Sequence, residues 1–259
     1  MSDAFLIGQS RSLPGLLVKY APILFLGLAW EAATRSGLIA VHVLPPLSQV
    51  TASWVRLAID GDLFFNGVSS LYRTSAGLAL AIVAGGITGI LMGWSQVFDA
   101  AIGPMVRMFY PMPKSALIPV MALWLGFGDG SKIVLIFLGC MLPVAISAYN
   151  GARGTDKTLI WSARSLGAGR WHTLRDVVVP SALPELMSGI RIALATSFIL
   201  LVSSEFIAAR RGLGHMIGVL GEGGVYDAMF AMVLTVALLG FIADRCYLML
   251  MRRGLRWRM

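Results

Sequence analysis

IVLIFLGCMLPVAISAY, residues 133–149, holds no charged side chain, and it runs straight into the polar segment GARGTDKTLIWSARSLGAGRWHTLRDVVVPSALPEL at 151–186. An apolar run of this kind approaches the ~20 residues that cross a bilayer as a helix. In lipid the backbone must satisfy its own hydrogen bonds, so the run is helical. Apolar sequence resumes at Leu186 and continues to Ala209. The unit is therefore a span, a long polar loop and a returning span.

Working outward, the same reading places further spans at Leu16–Thr34, Leu71–Trp94, Ala100–Leu125 and Ala228–Met251, which makes six. The third, Ala100–Leu125, holds Arg107, Lys114 and the prolines Pro111, Pro113 and Pro119. Proline removes a helical donor and kinks the rod. A broken helix at membrane depth needs protein or water around it, so this span is expected to bend toward the bundle interior. In the second span Gly85, Gly89 and Gly93 form a ladder suited to close helix packing. The expectation is an all-α membrane protein of six transmembrane helices, one domain over residues 1–259.

Composition agrees. The chain is 57% hydrophobic and 13% charged, with mean hydropathy +0.78; a soluble domain carries roughly 25% charged residues. The net charge of +8 sits in loops and at the tail, where it reads as an orientation signal rather than a nucleic-acid surface. With both termini inside, the inner segments hold Arg11 and Lys19, then Arg153, Lys157, Arg164, Arg170 and Arg175, then Arg252, Arg253, Arg256 and Arg258. The outer loops hold Arg56, Lys132, Arg210 and Arg211. Both termini are expected in the cytoplasm. The stretch after Arg11 and Lys19 lacks a convincing cleavage signature and reads as an uncleaved first span. Cys140 and Cys246 lie apart in apolar runs, and His42, His172 and His215 are scattered. Neither a disulfide framework nor a metal site is expected.

Two loops have internal order. Between the first two spans, Val50, Trp54 and Leu57 follow Ser48 at helical spacing. That predicts a helix along the membrane face, with Ser48 as its cap. In the 151–184 loop, Leu159, Ala163 and Leu166 form one helical stripe, Gly167 and Gly169 interrupt it, and Trp171, Leu174 and Val178 begin another that Pro180 ends. Two short helices around a glycine elbow make a knob. It is either a solvated basic loop or a docking surface for a partner groove.

The loop resembles the EAA loop of ABC importer permeases, whose pattern is Glu-Ala-Ala, three residues, Gly, nine residues, then Ile-x-Leu-Pro. Ala163, Gly167, Val177, Val179 and Pro180 match or substitute conservatively, while Trp161 and Ser162 stand at the Glu and first Ala places. The ordered set LPPLSQV (44–50), PMPKSALIPVMALWLGFGDGSKI (111–133), ARSLGAGRW (163–171), VVVPSALPELMSGIRIAL (177–194) and SSEFIAARRGLGHMI (203–217) is similar to the nitrate/sulfonate/taurine permeases. The resemblance implies a type I ABC importer permease fold in a bacterial inner membrane. It implies a second, usually identical, permease copy, two ATPase subunits that carry ATP and magnesium, and an external substrate-binding protein. It assigns Ala163, Arg164, Ser165, Leu166, Gly167, Ala168, Gly169, Arg170 and Arg175 to a coupling helix. The implied cargo is a small anion: a sulfonate, taurine, nitrate or a related solute. No ATPase is expected on this chain, because a phosphate loop needs G-x-x-x-x-G-K-[ST] after a strand. The nearest segment, Gly128-Asp129-Gly130-Ser131-Lys132, has the wrong order.

Charges within spans each ask for a reason, at roughly 2.5–3.5 kcal/mol apiece at mid-bilayer. Glu205, after Ser203 and Ser204, either lines the translocation path or pairs with Arg210 or Arg211, or lies at a wet helix end. Arg191 either reaches back to the interface or attracts an anion. Arg107 and Lys114 are open in the same way, with Lys114 the first choice for an anion path. Asp244 and Arg245 are placed to pair with neighbouring helices. An ion-driven secondary transporter would show inverted repeats and several deep acidic residues, and neither is evident. A non-transporting scaffold leaves the loop signature without a purpose.

Overall fold

The structure, a computed structural model, describes residues 13–255, with side chains from residue 21 onward. Arg11, Arg256 and Arg258, and the side chain of Lys19, lie outside what it describes, so part of the orientation signal is not seen. The order is α1 (Leu13–Arg35), α2 (Leu47–Ile59), α3 (Asp62–Trp94), α4 (Gln96–Phe109), α5 (Lys114–Leu125), α6 (Asp129–Arg153), α7 (Lys157–Ser165), α8 (Arg170–Ala208), α9 (Leu213–Glu222) and α10 (Tyr226–Gly254). No strand occurs among the described residues. There α3, α6, α8 and α10 are each long and apolar enough to cross a membrane. The other two passes are α1 and the α4–α5 pair.

The core is the three-helix stack of α3, α6 and α8. Ala81 of α3, Ile136, Cys140 and Val144 of α6, and Ala193, Leu200 and Leu201 of α8 form its buried centre. Lipid tails are as apolar as leucine, so helices here join by close packing rather than by hydrophobicity. The expected glycine ladder supplies it. A Cβ on Gly85 would stand 2.6 Å from the Met141 carbonyl oxygen, and one on Gly93 would stand 2.6 Å from Ala152 Cβ. Gly77, two four-residue steps before Gly85, continues the same line against the backbone at Ile133.

α3 is 33 residues long, about 50 Å at 1.5 Å per residue. That exceeds the roughly 30 Å hydrocarbon core, so the helix starts at Asp62, well before the span read from the sequence. α2 forms where its stripe is expected, but its cap differs. Leu47 opens the helix after Pro46, and the Glu31 carboxylate of α1 accepts from the Ser48 N–H at 3.1 Å and from its hydroxyl at 2.7 Å. Ser48 is thus the capped residue, not the cap. α2 also packs on α10, with Trp54 Nε1–H donating to Thr235 Oγ1 at 3.0 Å and Ser53 bonded to Asp227.

The third pass is broken outright rather than bent. α4 starts at Gln96, capped by Ser95, and ends at Phe109. Pro111 and Pro113 prevent continuation, and α5 restarts with a 3₁₀ turn at Lys114–Leu117. Within this chain only one face of the pass turns inward. Val106, Ile118 and Met121 are buried, but Met105, Met108, Leu123 and Trp124 are exposed. Two short halves offer only narrow inward faces, and α5 spends its own on Leu135 and Ala208.

Candidate functional site

The two ends of the helical core carry different chemistry. At one end the chain leaves α6 at Arg153 and forms α7. Asp156 caps α7 by accepting from the Thr158 N–H at 2.8 Å. That bond holds its carboxyl below the ordinary carboxylate range. The helix closes in a Schellman motif: the Ala168 N–H reaches the Ala163 carbonyl at 3.0 Å, and the Gly167 N–H reaches that of Arg164 at 2.9 Å. Gly167 sits at φ +87° with open space around it. Only glycine adopts this turn without cost, so the elbow expected at Gly167 is present.

The knob is anchored from beneath and bare on top. Ile160, Leu174 and Val178 pack with Ala152, Ala182, Ile90 and Trp94. The Arg164 guanidinium lies 5.9 Å from the Trp94 ring centre. Above this base Leu166 is 88% exposed, Trp171 70% and Trp161 63%. Arg164, Arg170 and Arg175 are exposed around them. Of the segment assigned to a coupling helix, Ala163, Arg164 and Ser165 belong to α7, and Leu166 to Gly169 form the elbow. Arg170 and Arg175 belong to α8.

The second short helix expected here does not end at Pro180. It merges through a π turn at Leu174–Val178 into one helix of 39 residues, Arg170–Ala208. Pro180 lacks an N–H, and its ring crowds the carbonyl four residues back, that of Asp176. The wider π turn spans that carbonyl and absorbs the conflict. The fifth pass thus starts sixteen residues before Leu186.

At the far end of the core lies a buried charge cluster. Arg73 of α3 is 2% exposed and Glu205 of α8 is 0% exposed, and their side chains pair at 2.6 Å. The Ser70 hydroxyl lies 2.8 Å from Glu205 Oε2, and the Gly214 N–H donates to the same oxygen at 2.9 Å. Arg73 also reaches Asp129 at 2.7 Å and the Arg211 carbonyl at 2.8 Å. Arg211 holds the other Asp129 oxygen at 2.8 Å. Lys132 donates to the Phe127 carbonyl at 2.8 Å and to that of Ala208. Asn66 accepts from the Gly212 N–H at 2.8 Å. Gly212 has φ +117°, and any Cβ there would strike the Glu205 carboxyl. Glu205 therefore pairs with neither Arg210 nor Arg211 and is not at a wet helix end. Its partner Arg73 is 132 residues away in sequence, with no local signal to mark it. Asp129, Ser70 and Asn66 were equally silent.

The remaining path candidates are dispersed. Lys114 donates to the carbonyls of Phe109, Tyr110 and Met112 at 2.7, 2.9 and 2.6 Å. An ammonium has three donors, so in this conformation all are spent closing the broken pass. Arg191 forks onto Asp244 at 2.8 and 3.2 Å, tying α8 to α10. Arg107 and Arg153 flank Asp99 at 3.7 and 3.3 Å near the knob. Ser204 is buried and bonds the Leu201 carbonyl, while Ser203 is half-buried. Among the described residues no group of His, Cys, Asp and Glu is arranged to hold a metal.

Residues 77–255 match the family described as "Binding-protein-dependent transport system inner membrane component". The chain is 36% identical to the taurine transport system permease protein TauC of Escherichia coli (strain K12), over 88% of this chain and 84% of that one. It is 33% identical to the putative aliphatic sulfonates transport permease protein SsuC of Bacillus subtilis (strain 168), over 88% and 83%. In fold it is similar to a chain of the inward-facing MetNI methionine ABC transporter, with TM-score 0.66 at 20% identity, covering 76% of this chain and 98% of that one.

Proposed function

The chain belongs to the family of binding-protein-dependent transport system inner membrane components, and from that premise we propose that it carries a small organic anion, of the sulfonate class, across the bacterial inner membrane. It is a transport permease subunit of the ABC type, not an enzyme. In this reading ATP and magnesium belong to two separate ATPase subunits that grip the 157–175 knob. A second copy of the chain completes the path, and an external binding protein delivers the cargo. The knob end and both termini then face the cytoplasm, and residues 1–259 act as one membrane domain. The taurine and aliphatic-sulfonate relatives support the cargo class, because their named solutes share a sulfonate group.

The observation that carries the coupling role is the exposure of Leu166, Trp171 and Trp161 on one short segment that also exposes Arg164, Arg170 and Arg175, on an anchored base. Large apolar side chains concentrated on a water-facing loop and rimmed by polar residues favour a protein interaction site. With Trp161 where the related loops carry Glu, the grip here is apolar at its centre and basic at its rim. Leu166→Asp tests it. Burying a leucine contributes about 1.5–3 kcal/mol, so ATPase affinity is expected to fall about 10- to 100-fold. The measurement is co-purification of the ATPase with the solubilised chain, with the elution profile as the check on folding. ATPase retention equal to wild type in a folded variant removes the knob from this role.

A further inference from the structure

The far end of the core carries a recess that the coupling role leaves unused. Its volume is about 400 Å³, and it is lined by Arg73, Phe127, Gly128, Asp129, Arg210 and Arg211. Pockets for small ligands span roughly 300–1,000 Å³, so the size suits one small solute. The charges there do not balance. Arg73 is matched by Glu205 and Arg211 by Asp129, whereas Arg210 is exposed and forms no ion pair among the described residues. Behind the recess the Lys132 ammonium is buried on backbone carbonyls, which carry no compensating charge. Arg211 is also only half engaged, with one terminal nitrogen on Asp129. A concave site with surplus charge of one sign concentrates ions of the other.

We infer that this recess receives the anionic group of the transported solute at the end of the bundle opposite the knob, with Arg210 and the outward donors of Arg211 as its ligands. The guanidinium fork suits the planar edge of oxygens on a sulfonate. Phe127, itself exposed, offers the apolar carbon chain a surface. The rigid cluster of Arg73, Glu205 and Asp129 fixes the floor, so binding does not have to organise it. The inference rests on the anion-importer reading and adds a place of first contact.

The test uses the full chain in nanodiscs of neutral lipid, with trifluoromethanesulfonate as the probe and its fluorine NMR line width as the readout. Broadening reversed by methanesulfonate but not by neutral dimethyl sulfone is expected. Arg210→Gln breaks no ion pair and is expected to raise the apparent Kd about tenfold or more, the loss typical of a charge-assisted hydrogen bond. Gly128→Trp is the second variant. Gly128 lines the recess, has an ordinary negative φ of −73°, and an added Cβ there meets nothing within 4 Å, so the backbone accepts an indole without strain, and its bulk at the recess is expected to abolish broadening. Probe binding unchanged in both folded variants overturns the inference. So does an Arg210→Gln chain that loses only a delivering protein while holding the probe as before, since the basic group would then be serving an acidic side chain of that protein. The two readings separate cleanly. No probe binding by a chain whose isolation from its own membranes retains an ATPase sinks the recess alone, whereas probe binding by a chain that retains none there removes the ATPase partnership and leaves the anion site standing.

Discussion

Replacing Glu205 by Gln is the sharpest probe of the far end, because shape is kept and one charge is lost. Arg73 would stay 2% exposed with only part of its compensation. Breaking a buried ion pair costs about 3–5 kcal/mol. Asp129 still holds the Arg73 guanidinium at 2.7 Å, so the lower figure applies, about 3 kcal/mol. For a chain of this length each kcal/mol moves the melting midpoint by about 2–4 °C, which sets an expected drop of about 6–12 °C. The assay is the monodisperse fraction left after stepwise heating in detergent. Arg73→Met is expected to cost as much, since it strands Glu205 in turn. The double variant, Arg73→Met with Glu205→Gln, removes both charges and leaves the Gln carbonyl to accept from Gly214. It should regain more than half of the single loss, because an apolar replacement for a buried pair is often neutral. Losses that simply add, or a Glu205→Gln midpoint within about 2 °C of wild type, less than one kcal/mol on the same scale, would refute the coupling of these side chains.

Three further outcomes follow from the geometry. Gly85→Ala drives a methyl to 2.6 Å from the Met141 carbonyl oxygen, and the overpacked helix pair should lose about 1–3 kcal/mol, read as a lower midpoint in the same heating assay. Gly167→Ala forces a side chain onto a φ of +87°, a strain of about 1–2 kcal/mol; proteolysis at the elbow should quicken while the spans stay protected. Asp156 has a carboxyl depressed below its ordinary value by the Thr158 N–H. Its cap therefore stabilises α7 fully above the ordinary carboxylate range and fades as pH falls through the depressed value. Amide exchange in α7, compared after correction for intrinsic rates, should lose protection on acidification in the wild type but not in Asp156→Ala.

What could be read from the residues was whatever repeats or is local. Apolar runs marked the passes, the spacing of Leu159, Ala163 and Leu166 with Gly167 marked the knob, and Gly85, Gly89 and Gly93 marked the tightest helix contact. What could not be read depends on partners distant in the chain. Glu205 announces a cost without naming the group that meets it, and Arg73 at the head of a span looks like any interfacial arginine. Ser48 carries a capping side chain, yet Glu31 of another helix makes the bond. Pro180 looks like a terminator because a π turn leaves no sequence mark of its own. Lys114 looked like an anion ligand, and only the carbonyls exposed by the break at Pro111 and Pro113 show where its donors go.

The unbroken run from Arg170 to Ala208 has a mechanical meaning. Its 39 residues make a rod about 58 Å long, with the knob's second half at one tip and Glu205 close to the other. Pivoted at its middle, a tilt of about 10° would sweep each tip through about 5 Å, one full helical turn. At the far tip that stroke is longer than any bond holding Glu205 to Ser70, Arg73 or Gly214. On a rod so built, a push on the exposed knob and a strain on the buried ion pair would be two ends of one displacement.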